Sequence, residues 1–501
     1  MKKINKSKLV FGNKIGNATQ RFALRYKRFF VKKFGDDSEV DYKIKAVDDF
    51  LLYKLFECKN IVPINAGDMP LVLNDDKAVV IGNIRMGYGH YRIAMAMVSA
   101  ARALGYNPYW FDLSNFENSL CTKVLKYQDK LYSFASRLSQ KSRIFNKFFW
   151  DPISMNYYKR IEGYAIDQRT TELFMPIFKN LPKKVPFVAT HAFCSQGAIH
   201  AGMKNVVNAI PDNWPISIHY SEGSVHAVQT PSAYLGYKSL RSMNKRKKLQ
   251  PLPAHAIYYA GHYVDHELVA YIEGDCANRL ERAQKKFDKR YLISIGGAGA
   301  QRELTADIIK HFIPYIEKNS ASLFINVGDH KNVIDYLLKK LANYKHLFNF
   351  FDDTYCELEA FVEKNKTQKT KGIYFIYNSN IFEAVYATNL LMRFVDCVIT
   401  KPSEMAFYPV PKIIITRVGG HEMYGAIRTS EIGDGTYECS TKKEIFSMID
   451  HFNNDNSLLK SMCYHIKINK IAGVYDGAYN VIKMALHMRE NNGKYIENVI
   501  K

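Results

Sequence analysis

The sequence predicts an α/β fold made of two doubly wound halves. Three observations carry that expectation. Short apolar, β-rich runs alternate with helical stretches, the order that builds a parallel sheet with helical crossovers. An apolar strand running into a glycine turn and then a helix occurs twice, at "VVIGNIRMGYGHYRIAMAM" and again at "LISIGGAGAQRELTADIIKHF". A chain of 501 residues, 47% of them hydrophobic, also exceeds what one core usually organises.

Taken in order, residues 1–75 read as a basic N-terminal extension: residues 1–33 hold eleven Lys or Arg, and the first acid is Asp36. Within "NATQRFALRYKRFFVKKF", Phe22, Tyr26, Phe29 and Phe30 fall on one helical face and Arg21, Arg25, Arg28 and Lys32 on an adjacent one. That pattern suits a helix lying in a lipid headgroup layer. It suits equally a helix whose aromatics pack on the protein's own core.

A first domain, 76–262, should hold strands in "KAVVIGN", "NPYWFDL", "VPFVATHAF", "WPISIHYSEG" and "HAIYYAG". Between the first two, Ile93, Met97, Ala101 and Leu104 recur at near-helical spacing, and Gly105 supplies a stop. The basic run Lys245-Arg246-Lys247-Lys248 sits beside prolines and reads as a loop.

The join falls in residues 262–288, which are polar and helical. A second domain, 263–440, repeats the strand pattern in "RYLISIGG", "ASLFINVGD", "GIYFIYN", "DCVITKPSEMAF" and "PKIIITRVGGHE". Residues 361–372 read as a charged surface insertion and 441–501 as closing helices. Two such halves facing one another would form a cleft, the expected place for ligands.

A net charge of +22 points to a polyanionic partner: nucleic acid, an acidic membrane surface or phosphate-bearing ligands. No nucleic-acid-binding motif appears, which ranks that partner last. Eight cysteines lie far apart with no Cys-x-x-Cys pair, so reduced, buried thiols are expected and no metal site. No apolar run approaches the ~18 residues of a spanning helix. The expected location is the cytoplasm, with peripheral attachment to the inner face of a membrane as an option.

A glycine turn at a helix start lets backbone N–H groups approach an anion at the positive end of the helix dipole. Gly296, Gly297 and Gly299 suit a nucleotide diphosphate, although such turns also serve simply to tighten a crossover. Neither turn reads as a dinucleotide fingerprint or a Walker A loop. The first turn, Gly87-Tyr88-Gly89, delivers His90 to a helix N-terminus, where the dipole disfavours the imidazolium and leaves a neutral ring able to accept a proton. A histidine that only hydrogen-bonds the turn is the alternative.

"GYGHYRIAMAM" resembles the glycine-rich histidine loop of monogalactosyldiacylglycerol synthases. "DCVITKPSEMAFYPVPKIIITRVGGHE" resembles the donor-binding stretch of those enzymes and of the lipid II-forming N-acetylglucosaminyltransferases. The likeness covers roughly residues 77–440, with "YYAGHYV", "LISIGGAGA" and "FINVGDHKNVIDYL" in the expected order between the two. It implies a GT-B fold of two Rossmann-like domains and an inverting hexosyltransferase that takes a uridine diphosphate sugar as co-substrate, with no other cofactor. The acceptor would be a lipid or glycan hydroxyl, most simply a membrane glycerolipid.

The likeness also implies roles. Gly87, Tyr88, Gly89 and His90 would form the acceptor loop, with His90 as base; Tyr88 stands where the family has glycine, which narrows the approach. Glu222 would orient His90 or act as base itself. Gly296, Gly297, Gly299 and Ser403 would lie near the phosphates, Glu404 would hold the ribose hydroxyls, and His421 and Glu422 would address the donor sugar. The family's run before the ribose-binding acid is compressed here to Lys401-Pro402-Ser403-Glu404. A nucleotide-sugar 2-epimerase and a non-catalytic binding protein on the same fold are the alternatives. His191 in "VATHAF" reads as structural.

Overall fold

The structure is a computed structural model that describes residues 8–64, 68–71, 73, 75–141, 159–244, 247–296 and 301–495. Lys245, Arg246, Gly297 and Gly299 lie outside the described residues. By its internal contacts the chain divides into two compact units, Met1–Gly261 with Gly477–Lys501, and His262–Asp476.

The first unit opens with a small hairpin, β1 (Leu9–Val10) and β2 (Asn13–Lys14). Its sheet holds β3 (Ile44–Asp48), β4 (Lys59–Pro63), β5 (Ala78–Asn83), β6 (Asn107–Asp112), β7 (Phe187–Ala189), β8 (Val206–Ala209), β9 (Val225–Val228) and β10 (Ile257–Tyr259). The order is β10-β9-β8-β7-β5-β6-β4-β3, parallel except for the edge strand β3. Residues 44–63 of the N-terminal segment therefore pair into the sheet.

Strand β5, "AVVIGN", is buried along its whole length, as expected of a parallel strand covered on both faces. Gly82 lets β7 lie close, since a Cβ there would sit 2.3 Å from the Phe187 ring. The helix Gly89–Ala103 is buried from Tyr91 to Ala101, between the sheet and the last helix, Gly477–Glu490. Gly105, at φ +81°, closes it by allowing Tyr106 N–H to reach Ala101 O.

One first-unit expectation needs correction. "WPISIHYSEG" is not a strand: Ser217–His219 forms a single 3-10 turn, and Asn208 ties the His219 carbonyl down. Pro215, which lacks an N–H, faces Gly236 of a neighbouring helix instead of entering a ladder. The strand in this region is β8, from "VVNA".

The helix Asn17–Phe34 splits the two readings of its aromatics. Phe30 is fully buried in the first unit's core and Tyr26 packs against it. Phe22 (52% exposed), Leu24 (38%) and Phe29 (41%) face outward with Arg21, Arg25, Arg28 and Lys32.

The second unit is a seven-stranded, all-parallel sheet of β11 (Lys289–Ser294), β12 (Ala321–Asn326), β13 (Phe348–Asp352), β14 (Gly372–Tyr377), β15 (Cys397–Thr400), β16 (Lys412–Ile415) and β17 (Gly435–Cys439). Their order is β13-β14-β12-β11-β15-β16-β17. The edge strands β13 and β17 add to the five expected from sequence.

The supposed insertion at 361–372 starts inside the helix Tyr355–Lys364, because Val362 is buried and Phe361 packs on Tyr374 at 5.0 Å between ring centroids. The helices Lys442–Asn454 and Ser457–Ile471 belong to the second unit, and Gly477–Glu490 to the first. All eight thiols are free. Seven are buried, and Cys356 is exposed, against expectation.

Both sheets reverse direction at one place, between β5 and β7 in the first unit and between β11 and β15 in the second. In doubly wound sheets, ligands bind outside the carboxyl ends of strands at such a switch point.

Candidate functional site

In the first unit, the turn after β5 and the turn after β7 flank the switch point. Gly87 takes φ +76° in a stretch where a Cβ would meet nothing within 4 Å, and Tyr88 caps the helix that begins at Gly89. His90 and Tyr91 then tether the helix start to the strands on either side of β5. The Nδ1–H of His90 donates to Thr190 O, just beyond β7, at 2.8 Å. The hydroxyl of Tyr91 donates to Asp112 at the end of β6.

A carbonyl can only accept, so Nδ1 of His90 carries a hydrogen, and in the neutral ring the lone pair is on Nε2. That is the form able to take a proton from a hydroxyl. Burial pushes the Asp112 carboxyl up, opposed by its bonds from Tyr91 and Ser114.

Next to His90 stands His191, whose ring meets it edge to face with centroids 4.7 Å apart. His191 caps the helix Ala192–His200 by accepting Phe193 N–H at Nδ1, 3.0 Å away. Burial, then the neighbouring His90 and His219, hold its pKa well below the usual imidazole range. Sequence reasoning treated it as structural; the signal that it lies at a site was its position, directly after a strand and directly before a helix, like His90.

Glu222 has a different setting. Its Oε1 accepts the N–H of Phe11 in the N-terminal hairpin at 2.9 Å, and its own N–H donates to the Tyr164 hydroxyl at 2.7 Å. Thr190 O thus helps hold the ring of His90, and one carboxylate oxygen of Glu222 helps hold the hairpin.

In the second unit, three turns converge at the carboxyl ends of β11, β15 and β16. Gly296 follows β11, and a Cβ there would meet nothing within 4 Å. Gln301, in the left-handed region at φ +66°, starts the helix Arg302–Glu317 and donates to Thr416 O after β16 at 2.6 Å. Lys401, after β15, pairs with Glu422 after β16. Gly425 brings the helix Met423–Glu431 so close that a Cβ would lie 2.4 Å from Pro402 O.

Within this frame, Ser403 and Glu404 begin the 3-10 helix Glu404–Phe407, both partly exposed. Neither side chain is engaged by a hydrogen bond or ion pair among the described residues. The buried carboxylate of Glu422 is occupied: one oxygen takes Lys401 and the other takes Val418 N–H at 2.8 Å and Gly419 N–H at 3.3 Å. Sequence reasoning missed Lys401. His421 lies in the one-turn helix Gly420–Glu422; its side chain, like Gly297 and Gly299, lies outside the described part.

Two family models match this chain. Residues 9–239 match a domain of unknown function (DUF6937) and residues 252–486 another (DUF6938). No curated protein matches. Similar solved structures include a UDP-GlcNAc 2-epimerase from Neisseria meningitidis bound to UDP-GlcNAc, 10% identical over 83% of this chain and 100% of that one, with a TM-score of 0.45. An α,α-trehalose 6-phosphate synthase from Burkholderia multivorans is 9% identical over 83% and 99%, with a TM-score of 0.44. A glycosyltransferase from Rickettsia africae is 11% identical over 83% and 98%, with a TM-score of 0.39. No described helix is long and apolar enough to cross a membrane.

Proposed function

We propose that the chain is a GT-B glycosyltransferase that moves a hexose, with inversion, from a uridine diphosphate sugar to the hydroxyl of a membrane glycerolipid. The observation that carries the reading is the placement of His90: it stands at the start of the helix after β5, beside the switch point of the first unit, with its Nδ1–H donated to Thr190 O so that the neutral ring carries its lone pair on Nε2. In the reaction, Nε2 takes the acceptor's proton as its oxygen attacks the anomeric carbon and the bond to the diphosphate breaks.

The second unit would hold the donor. Backbone N–H groups of the turn after β11 would meet the diphosphate, where charge builds as it departs. The Glu404 carboxylate can accept from two ribose hydroxyls at once, and its lack of a described partner supports that use. With both Glu422 oxygens occupied, this acid acts by shaping the turn that carries His421.

The lipid part of the reading rests on the outward Phe22, Leu24 and Phe29 beside four cations on one helix. Apolar side chains among basic ones suit an anionic interface.

The test has three measurements. UDP should raise the melting temperature of the wild type, by the equivalent of ~2.7 kcal/mol at a hundredfold excess over Kd, and that of Glu404→Ala much less. Release of UDP from its sugar should need an acceptor lipid and fall ~10²–10⁴-fold in His90→Gln. Phe22→Ser/Phe29→Ser should lose binding to phosphatidylglycerol vesicles and keep the UDP response. Turnover of the nucleotide sugar without acceptor, leaving the diphosphate attached, would replace transfer by 2-epimerisation.

A further inference from the structure

Between Glu222 and Asp265 the sequence has no acid, while it holds six Lys or Arg. Part of this stretch runs from the end of the helix Pro231–Lys238 toward β10, and its frame is pinned. Leu240, Met243 and Leu252 are buried in the first unit's core. Leu240 takes the left-handed region at φ +52°, and Arg241 N–H reaches back to Gly236 O at 3.0 Å. Met243 O accepts Ile161 N–H at 3.1 Å. Gln250 exchanges two hydrogen bonds with the Asn13 side chain of the N-terminal hairpin, at 2.8 and 3.1 Å.

Held in this way, the stretch surrounds a concavity of about 350 Å³ with Arg241, Lys247 and Lys248 on its wall, Ser242 beside them, and Leu249 and Pro251 as its apolar part. No Asp or Glu lines it among the described residues. Lys247 and Lys248 are exposed, and neither has an ion-pair partner among the described residues. A fourth cation is near: Lys159 Nζ lies over the Trp214 ring at 4.7 Å, and burial, then the charge of Arg241, lower its pKa. Cations gathered round a concavity repel one another and focus a positive field into it. A phosphate placed there relieves that repulsion and accepts a charge-assisted hydrogen bond from each lysine it meets.

We propose that this concavity binds a phosphate monoester, its phosphate held by Lys247 and Lys248 with Arg241 adding charge, and its organic part laid against Leu249 and Pro251. A soluble phosphate ester and a lipid headgroup offer the same group. The site is independent of the transfer proposed above and shares no residue with it.

The test titrates the full chain with glycerol 3-phosphate by calorimetry, and with phosphatidylcholine vesicles containing phosphatidic acid by sedimentation. Lys247→Gln/Lys248→Gln is compared with Lys339→Gln/Lys340→Gln, which removes the same charge from an exposed helix end in the second unit. The first variant should bind at least one probe about tenfold more weakly than the wild type, the worth of two partly exposed charge contacts. The second should match the wild type. Lys247→Gln/Lys248→Gln should also keep the wild-type melting temperature, because the turn at Asn244 Oδ1 uses the Lys247 backbone N–H, at 3.0 Å.

A loss confined to the vesicles assigns a lipid headgroup, and one seen with glycerol 3-phosphate a soluble ester. Absence of binding by the wild type, equal binding by Lys247→Gln/Lys248→Gln on both probes, or an equal loss in Lys339→Gln/Lys340→Gln would overturn the site. Response to UDP is measured separately and should be unchanged in Lys247→Gln/Lys248→Gln, so failure of the proposed transfer and failure of this site are told apart.

Discussion

Replacing Lys412 by methionine should destabilise the second unit by about 4 kcal/mol, and the site explains why. The Lys412 side chain is wholly buried, and its ammonium meets Asp434 at 2.9 Å, Tyr408 O at 2.7 Å and Val410 O at 3.0 Å, which uses all three donors. Burial lowers its pKa and Asp434 opposes that. Methionine fills a similar volume but strands the carboxylate with two hydroxyl donors, Thr429 at 2.6 Å and Tyr475 at 2.8 Å, and unpairs two carbonyls. Removing one partner of a buried ion pair costs ~3–5 kcal/mol, with orphaned carbonyls included in that range.

The assay is urea denaturation followed by far-UV circular dichroism, because Trp110, Trp150 and Trp214 all precede residue 262 and tryptophan fluorescence reports only the first unit. Adding Asp434→Leu to Lys412→Met should recover more than ~1 kcal/mol relative to the sum of the single changes, the sign expected of contacting partners. Since Lys412 also holds the carbonyls just after Glu404–Phe407, Lys412→Met should weaken UDP binding. A loss below ~1 kcal/mol, or strictly additive single changes, would refute the argument.

Two further expectations concern a buried acid and a tight approach. Burial raises the Asp167 carboxyl to about 7, against ~3.9 in an unfolded chain. Between those values the folded state binds the extra proton, so stability falls as pH rises through that window and is lowest above it. Asp167→Asn should raise the melting temperature at pH 8 and leave it unchanged near pH 4; an equal gain at both would exclude this cause. Gly425→Ala would press a methyl group onto Pro402 O and should cost ~1–3 kcal/mol while moving the 401–404 turn. Unaltered UDP affinity in that variant would separate the turn from the donor site.

The central strands were legible because their apolar runs are short, continuous and bounded by glycine or polar residues, the signature of strands buried on both faces. That signature fails at the edges. Phe348–Asp352 is half exposed and reads as an ordinary mixed segment, and "WPISIH" has the right composition but a proline that no ladder accepts. The N-terminal helix was legible as a helix, yet periodicity alone could not say which aromatics turn inward. Phe30 and Phe29 are neighbours in sequence with opposite fates, decided by what packs beside the helix.

The acids show the same limit at the site. Glu222, Glu404 and Glu422 each follow or enter a turn, and sequence offers no way to rank them. Chemistry does, through lone pairs already committed. Glu222 accepts a hairpin N–H, and Glu422 is held between Lys401 and two N–H groups three and four residues back, a local pattern that a Gly-Gly-His-Glu turn favours by geometry. Only Glu404, at the start of a turn with no described donor opposite it, keeps its full accepting capacity for a ligand. A partly exposed carboxylate with both oxygens open can accept from two adjacent hydroxyls at once, the number a ribose offers, which is why Glu404 is the acid proposed for the donor.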